Sequence, residues 1–387
     1  MESMAMNFQY LKDFLDYYVP MLGVPGSDTV VYKDHEEIFR YRSGVEDIRL
    51  RTPVRDNAFY NLYSCTKVAT CTAGMQLIER GEMLANDPVY AYIPEFRNIK
   101  IKVKGADGKE EIRDAKNPVL IKHLFAMMSG LDYNLDRPAI KNIKEKTDGK
   151  CPTLDVIRAL PDDPFLFDAG EKYQYSLSHD VLGGLIEIIS GQKLGDYMKE
   201  NIFDPLGMNN TGFELNEKNT ELMATQYNYD SKEHHAIEIP KTMNIYRLGT
   251  EYQSGGAGLI STADDYILLA DALAHHGMGK SRERILASRT VDLMRSTLLT
   301  PEQNKAYATD YHVGFNYCYG VRVMTNPAEA GTLVPKGTFG WDGAKMSFIF
   351  SDPENRLAIF HATHVGGCHD ILIPRIMNLI YQGLDED

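Results

Sequence analysis

The stretch NLYSCTKVAT, residues 61–70, places a serine three residues before a lysine at the start of a helical pattern. Apolar side chains follow at three- and four-residue spacing, at Val68, Cys71, Met75 and Ile78. This spacing predicts a helix that begins at Ser64, and Gly81 is suited to its C-terminal end. Residues three apart on a helix share a face, so we expect the Ser64 hydroxyl to lie beside the Lys67 amine.

The pair Ser64 and Lys67 is a weak signal alone, because a chain of 387 residues contains about one Ser-x-x-Lys by chance. A second copy runs from Ser190 to Lys193, but Gly191 is expected to end its helix, so its two side chains do not share a helical face. At Ser64 the free N–H groups of a helix start favour developing negative charge. A serine there is equally a common N-cap, so position alone does not decide its role.

Two pairs of strands are predicted, one near each end of the chain. DTVVYKD (28–34) and EIFRYRSG (37–44) are separated by a polar turn and predict an antiparallel hairpin, preceded by a helix. MSFIFSD (346–352) and RLAIFHAT (356–363) predict a second pair, followed by a last helix over about 371–382.

Helical patterning fills the middle of the chain, where DVLGGLIEIISG (180–191) is the clearest helix and IKIKVKGADGKEEIRDA (99–115) predicts an exposed hairpin. Strands at both ends with helices between predict an α/β fold, in which an antiparallel sheet built from both chain ends is flanked by helices and carries an inserted, mostly helical domain. We place the sheet domain at 1–86 plus 300–387 and the helical domain at 87–299, with the active site at their interface.

The overall charge excludes two classes of partner. The chain has 41 basic and 54 acidic residues, a formal net charge of −13, whereas nucleic acids and anionic membranes are bound by cationic surfaces. No run of about 18 apolar residues predicts a membrane span, and the N-terminus lacks the features of a secretory signal. Five scattered cysteines are too few for a disulfide framework. We expect reduced thiols in a cytoplasmic protein.

Six stretches, taken together and in this order, resemble one protein family. They are PGSDTVVYKD, YSCTK, HLFAMMSGL, YSLSHDVLGGLIE, IFDPLGMNNTGF and YQSGGAGLISTADDY. From about Pro25 to Phe360 the chain resembles the serine β-lactamase and penicillin-binding-protein-like hydrolases, which include class C β-lactamases, D,D-carboxypeptidases and family VIII carboxylesterases. The resemblance implies a β-lactamase/transpeptidase-like fold and an acyl-enzyme formed on a serine.

The resemblance assigns roles to three side chains. Ser64 matches the nucleophile and Lys67 its partner, and Tyr175 matches the tyrosine of a Tyr-x-Asn element that carries protons with the lysine. A serine hydroxyl is a poor nucleophile until a neighbouring group takes its proton. Lys67 and Tyr175 can share that work, and which of them is the general base stays open.

Trp341-Asp342-Gly343 stands at the strand position where the family carries Lys-Thr-Gly. The resemblance implies that the backbone N–H groups of Ser64 and Ala344 form the oxyanion hole. Trp341 and Gly343 are two residues apart on a strand, so both are expected to face the site. The absence of the lysine removes a cation that would bind substrate carboxylates, and Trp341 supplies an aromatic wall in its place. Gly343 is expected to let an acyl group approach the backbone.

The asparagine of Tyr-x-Asn is replaced by Leu177, which removes an amide that would bind a peptide-like substrate. This change and Trp341 favour uncharged, apolar acyl groups. We therefore expect a carboxylesterase that acts on small or apolar acyl esters through Ser64. Two alternatives stay open, a β-lactamase or D-amino-acid peptidase or amidase with the same residues, and a non-catalytic binding or scaffold protein of the same fold. The expected partner is a small ester or amide, and the oligomeric state is left open.

Other nucleophiles and ligands are weaker candidates. Cys65 points about 100° away from Ser64 around the helix and is expected in the core. FHATHVGGCHD (360–370) offers three histidines and a cysteine, but its first two histidines would face opposite sides of a strand, which does not suit zinc. The histidine pairs 234–235 and 275–276 lie in polar segments and are expected to be solvated. We expect no metal and no cofactor.

Overall fold

The computed structural model describes residues 6–105 and 107–384, so the outer ends of the predicted sheet domain and Ala106 of the predicted hairpin turn lie outside the described residues. The α-helices of the described chain are α1 (Gln9–Asp13), α2 (Val19–Met21), α3 (Thr66–Glu79), α4 (Ile121–Phe125), α5 (Pro138–Lys146), α6 (Thr153–Ala159), α7 (Ser178–Ser190), α8 (Leu194–Met198), α9 (Asp204–Leu206), α10 (Glu217–Glu221), α11 (Ala263–Ala274), α12 (Ser288–Met294), α13 (Pro301–Tyr307), α14 (Pro327–Ala330) and α15 (His369–Leu384). A π-helical segment, Phe14–Tyr18, joins α1 to α2.

Within the described residues, the strands form one large antiparallel sheet and three small ones. They are β1 (Gly26–Lys33), β2 (Glu36–Asp47), β3 (Thr52–Pro53), β4 (Phe59–Asn61), β5 (Lys100–Lys104), β6 (Glu110–Asp114), β7 (Gln226–Asp230), β8 (His235–Ile239), β9 (Ile260–Thr262), β10 (Phe315–Tyr317), β11 (Arg322–Met324), β12 (Phe339–Asp342), β13 (Ser347–Asp352), β14 (Leu357–Ala362) and β15 (Val365–Gly366). The large sheet has the order β10-β11-β12-β13-β14-β1-β2-β3. The predicted sheet from both chain ends is confirmed.

The central strands of the large sheet are buried on both faces because a helix covers each face. Adjacent strand residues point to opposite faces. On β13, the Ser351 hydroxyl donates to the Ala270 carbonyl of α11 at 2.8 Å, whereas Asp352 accepts from the Tyr381 hydroxyl of α15 at 2.9 Å. This two-sided cover explains why β13 and β14 are buried along their whole length and β1 along most of its length.

Helix α11 lies outside the sheet domain that the sequence predicted. It falls within the expected helical segment 87–299, yet it packs against β1, β13 and β14. The ring of Tyr266 on this helix lies 5.8 Å from Phe360 on β14. The division of the chain into two domains stays a prediction, and α11 crosses its boundary because its apolar face matches the sheet.

Helix α3 lies between the large sheet and the helical part of the molecule. Its residues are buried from Thr66 to Leu77, and it contacts α7, α8 and α12 as well as β12. Gly74 has no side chain and so permits this close packing, since a Cβ there would lie 2.7 Å from the Phe125 ring. Gly81 follows the helix with φ of 71°, as the sequence predicted. Among the described residues no helix combines the length and apolar character needed to cross a bilayer.

Candidate active site

Ser64 lies in a 3₁₀ turn, Tyr63–Cys65, immediately before α3, and is partly exposed. Tyr63 has φ of 46°, a left-handed conformation that costs a non-glycine residue about 1–3 kcal/mol. Its hydroxyl lies 2.6 Å from Gln226 Oε1 and 2.9 Å from the Met243 carbonyl oxygen, and these contacts hold the residue in place. The strained residue therefore fixes the backbone direction at which Ser64 enters the helix.

The three side chains predicted from the sequence meet at the Ser64 Oγ atom. The Tyr175 hydroxyl oxygen lies 2.6 Å from Ser64 Oγ, and the Lys67 Nζ lies 3.2 Å from it. Lys67 reaches the serine because the two residues are three apart on one helical run. Tyr175 is brought there by the chain that leads into α7, which packs against α3. One serine hydroxyl is thus in contact with an amine and a phenol.

Lys67 is fully buried beneath the serine. Its Nζ donates to the Gly256 carbonyl at 2.7 Å and to the Tyr133 hydroxyl at 3.1 Å. Burial lowers the pKa of the Lys67 amine to about 7, and attraction to Asp180 is the largest opposing effect. Near neutral pH a large share of Lys67 is therefore unprotonated and able to accept a proton from Ser64.

Tyr133 and Asp180 are residues of the site that the sequence patterns did not indicate. Tyr133 contacts the Lys67 amine, and Asp180 is buried on α7, where it accepts hydrogen bonds from the hydroxyls of Tyr252 at 2.9 Å and Ser254 at 2.7 Å. Asp180 lies within the stretch YSLSHDVLGGLIE, and Tyr133 follows HLFAMMSGL by two residues. Their position in or next to these stretches was the only feature of the sequence that could have indicated the two residues, because no local spacing links either of them to Lys67.

Trp341 on β12 forms a wall against Tyr175. Their rings stack with centroids 5.8 Å apart, and the Trp341 Nε1–H donates to the Tyr175 hydroxyl at 3.3 Å. Burial among these rings raises the pKa of the Tyr175 phenol, although its hydrogen bonds with Ser64 and Trp341 oppose the shift. Tyr175 is therefore a neutral phenol at neutral pH, suited to passing a proton on.

A buried ion pair lies behind Trp341. Arg322 is fully buried and pairs with Asp342, and its guanidinium carbon lies 5.2 Å from the centre of the Trp341 ring. Asp342 also accepts a hydrogen bond from the Tyr311 hydroxyl at 3.2 Å, and His369 Nε2 lies 3.8 Å from its carboxylate. The positive charge of Arg322 behind Trp341 is thus neutralised by its own partner.

Gly343 follows β12 and does not begin a strand. A side chain there would lie 2.3 Å from the Leu62 carbonyl oxygen and 2.7 Å from the Ser347 hydroxyl, so a glycine is needed where this segment packs against the chain leading to Ser64. The expectation that Gly343 lets an acyl group approach the backbone stays a prediction. Ala344 is exposed at the cavity, and within the described chain its N–H and that of Ser64 donate no hydrogen bond to the protein.

A cavity of about 400 Å³ opens at Ser64. Its wall is mostly aromatic and includes Tyr173, Tyr175, Tyr246, Tyr307, Tyr311 and Trp341. No lysine or arginine of the described residues lines it, and its one formal charge is Asp342, which is paired with Arg322. The cavity therefore suits an uncharged group with an apolar or aromatic surface.

Three further candidates are engaged elsewhere. Leu177 is buried at the start of α7. Cys65 is buried with its Sγ 3.4 Å from the Ser347 carbonyl oxygen, and burial raises the pKa of its thiol, which makes it unreactive. Ser190 donates to a carbonyl of its own helix at 2.6 Å and does not contact Lys193.

The histidines of the 360–370 segment have separate partners. These are Thr29 for His361, the Ala224 carbonyl for His364 and the Gly343 carbonyl for His369. The expectation that the 275–276 pair is solvated is wrong for His275, whose side chain is only 10% exposed and lies 3.3 Å from the Asp271 carboxylate. It is covered because the end of α11 packs beside the turn between β1 and β2.

Comparison with known proteins identifies the family. The family model described as Beta-lactamase matches residues 10–367. The chain belongs to the beta-lactamase family. Esterase EstB from Burkholderia gladioli is 29% identical over 360 residues, which cover 88% of this chain and 86% of that protein. A putative D-alanyl-D-alanine carboxypeptidase from Escherichia coli K12 is 24% identical over 362 residues, 87% of this chain and 78% of that protein.

Solved structures agree on the fold. The structure of EstCE1, a hydrolase with promiscuous acyltransferase activity, superposes with a TM-score of 0.78 and 24% identity, covering 97% of this chain and 98% of that one. The predicted β-lactamase/transpeptidase-like fold is confirmed, and so is the resemblance read from the six stretches. Relatives in this family of serine hydrolases include esterases, acyltransferases and carboxypeptidases.

Proposed function

We propose that this member of the beta-lactamase family is a carboxylesterase that forms an acyl-enzyme at Ser64 on small or apolar acyl esters. The observation that carries the proposal is the contact of one serine hydroxyl with the Lys67 amine and the Tyr175 phenol, at an aromatic cavity lined by no lysine or arginine of the described chain. The similarity to an esterase over most of the chain supports the same activity.

The proposed acylation moves one proton from Ser64 to Lys67. The unprotonated amine accepts the Ser64 hydroxyl proton while Oγ attacks the ester carbonyl carbon. The N–H groups of Ser64 and Ala344 stabilise the oxyanion, a contribution of about 3–4 kcal/mol for each donor. The C–O bond to the alcohol then breaks, and the proton returns through Tyr175 to the departing alkoxide. Water repeats the sequence on the acyl-enzyme and releases the acid.

The charges around the cavity favour esters over β-lactams and D-alanyl peptides. Penicillins and D-Ala-D-Ala peptides carry a carboxylate, which a cation would bind. Here Trp341 replaces that cation, and Arg322 behind it is already paired with Asp342. Leu177 likewise offers no amide for a peptide-like group. The β-lactamase and peptidase alternatives are therefore the weaker ones.

The experiment is hydrolysis of short-chain p-nitrophenyl esters beside a chromogenic cephalosporin. We expect ester turnover that Ser64→Ala abolishes and that Tyr175→Phe lowers by about 10²–10⁴-fold. Ser190→Ala is the matched control, because it removes the serine of the second Ser-x-x-Lys and should leave turnover unchanged. Full activity in Ser64→Ala would refute the proposed nucleophile, and cephalosporin turnover faster than ester turnover would favour the β-lactamase alternative.

Acyl transfer to an alcohol is a second candidate activity of the same acyl-enzyme. EstCE1 combines hydrolysis with acyltransferase activity, and Ser64 opens onto a cavity whose aromatic wall suits an apolar alcohol. Transfer replaces water by an alcohol in the second step, with the same proton path. Ester turnover in the presence of increasing butanol should then yield butyl ester at the expense of free acid, whereas a constant yield of acid would exclude transfer.

We further propose that the protein acts in the cytoplasm. Five unpaired thiols support this, because cysteines in oxidising compartments are usually paired. Fractionation of the native host followed by detection with an antibody tests the compartment, and recovery outside the cytoplasm would contradict it.

A further inference from the structure

Three side chains of the types that bind metal ions lie close together in the fold, and one of them is far from the other two in the sequence. His35 lies in the turn between β1 and β2, Asp271 lies on α11, and His275 follows the end of that helix. One ligand atom from each of the three lies within 4.8 Å of the other two. Among the described residues, this is the one group of three or more histidine, cysteine and acidic side chains that meets this spacing. It is separate from the residues that line the cavity at Ser64.

The hydrogen bonds of His275 leave one ring nitrogen free for a metal. Its Nδ1 lies 2.8 Å from the backbone carbonyl oxygen of Asp271, and a carbonyl only accepts, so Nδ1 carries the proton. The lone pair is then on Nε2, which is buried and has no hydrogen-bond partner within the described chain. Metal-binding histidines commonly donate their other N–H to a backbone carbonyl in this way.

Asp271 supplies a second buried atom without a hydrogen bond. Its side chain is 1% exposed, and its Oδ2 lies 2.7 Å from the Nδ1 of His35. Its Oδ1 is buried and has no hydrogen bond to the described residues, although the Nδ1 of His275 lies 3.3 Å away. A buried polar atom without a partner is costly, and a bound ion is one of the few ways to satisfy it.

The turn that carries His35 can adjust to a metal ion. The His35 side chain is 28% exposed, and its ring stacks on that of His275 with centroids 3.5 Å apart. Tetrahedral zinc has bonds of about 2.0–2.1 Å, so its ligand atoms lie about 3.3 Å from one another. Binding of an ion would require the His35 ring, which lies on this partly exposed turn, to leave the stack.

We propose that His35, Asp271 and His275 bind one divalent transition-metal ion of the zinc type, which ties the β1–β2 turn to the end of α11. Two imidazoles and a carboxylate suit zinc better than calcium or magnesium, which prefer oxygen ligands alone. The proposed role is structural. The ion would connect two parts of the chain that are 236 residues apart in sequence.

The test is direct metal binding to the full chain, produced without a polyhistidine tag and freed of metal by a chelator. We expect equilibrium dialysis to give one tight Zn²⁺ per chain and Co²⁺ to give the visible absorption of a tetrahedral site. A 100-fold excess of Zn²⁺ over its dissociation constant should raise the melting temperature by about 2–6 °C. No saturable Zn²⁺ binding by the wild-type chain would overturn the proposal.

The decisive variant is His35→Gln, because His35 is in a partly exposed turn and its loss does not open the core. We expect this variant to lose at least tenfold in Zn²⁺ affinity, to lose the Co²⁺ spectrum, and to keep wild-type ester hydrolysis. His234→Gln is the matched control, since His234 is exposed and its hydrogen-bond partner is Tyr229 and none of the three ligands. This variant should bind Zn²⁺ like wild type. Wild-type binding by His35→Gln would show that the ion lies elsewhere and would refute the site.

Discussion

Lys67 carries the clearest electrostatic signature of the site. It is fully buried, its pKa is lowered to about 7 by that burial, and its amine contacts Ser64, Tyr133 and the Gly256 carbonyl. Tyr175 differs, because its phenol has a raised pKa and keeps its proton at neutral pH. These opposite shifts make Lys67 the proposed base and Tyr175 the proton carrier, the choice that sequence left open.

The pH dependence of ester hydrolysis follows from this assignment. Acylation needs unprotonated Lys67, so we expect kcat/KM to rise about tenfold per pH unit below about 7 and to level off above it. The measurement is kcat/KM for a p-nitrophenyl ester from pH 5 to 9, corrected for spontaneous hydrolysis. A flat profile across that range would show that the lysine is not the base.

Lys67 should lower the stability of the fold that it serves. An unfolded lysine binds its proton up to about 10.5, whereas buried Lys67 loses it above about 7, so between these values the unfolded state binds more protons and stability rises with pH. The shift corresponds to roughly 5 kcal/mol at neutral pH. The Lys67→Met variant should be inactive, and urea unfolding at pH 7 should show it to be more stable than wild type by about 1–3 kcal/mol. The gain is smaller than the full cost of the pKa shift because the variant also loses the hydrogen bonds of the amine.

The same comparison at higher pH is the control for that prediction. The stability difference between Lys67→Met and wild type should shrink as pH rises from 7 toward 10, because the proton that only the unfolded lysine holds stabilises the unfolded state less at each higher pH. A difference that stays constant with pH would assign the effect to packing and not to charge.

At the scale of elements, the site depends on close packing between the end of β12 and the chain before Ser64. A Cβ on Gly343 would lie 2.3 Å from the Leu62 carbonyl oxygen, which is backbone and cannot rotate away. We expect Gly343→Ala to lower stability by about 2–4 kcal/mol and kcat by at least tenfold, because the turn that holds Ser64 must shift. Urea unfolding and ester turnover measure the two effects.

Gly212→Ala is the matched control for Gly343→Ala. A Cβ at Gly212 meets no atom within 4 Å, so this change should leave stability within about 0.5 kcal/mol of wild type and activity unchanged. Equal losses in both variants would mean that glycine flexibility, and not the contact with Leu62, is what matters at Gly343.

Elements with a local pattern were the ones that sequence predicted well. The 3.6-residue period gave α3, and the same spacing placed Lys67 beside Ser64. Contacts between distant segments were not readable: Tyr133 reaches Lys67 across 66 residues, and α11 joins the sheet through contacts such as Ser351 to Ala270, 81 residues apart. The packing of Gly343 against Leu62 was not readable either, because the two residues lie far apart in sequence.

At the scale of the whole molecule, the large sheet joins both ends of the described chain, and every cysteine is buried. The N–H of Asn7 donates to the Gly383 carbonyl at 2.9 Å, which ties the first helix to the last. All five thiols are free and buried. The molecule therefore protects its reactive sulfur atoms by folding and not by pairing.

Thiol labelling should report the integrity of this fold. We expect no cysteine to react with a thiol-specific reagent such as DTNB in the native state over minutes, and all five to react in denaturant. Glu302→Cys is the control, because that position is exposed and its thiol should react at once. Rapid reaction of one native thiol would show that part of the core opens more readily than its burial indicates.

Intact-protein mass spectrometry of rapidly quenched ester reactions shows which residue carries the acyl group. We expect one acyl adduct per chain, located by peptide mapping on the segment 61–70, absent in Ser64→Ala and present in Ser190→Ala. An adduct on any other residue, or one that survives in Ser64→Ala, would refute Ser64 as the nucleophile.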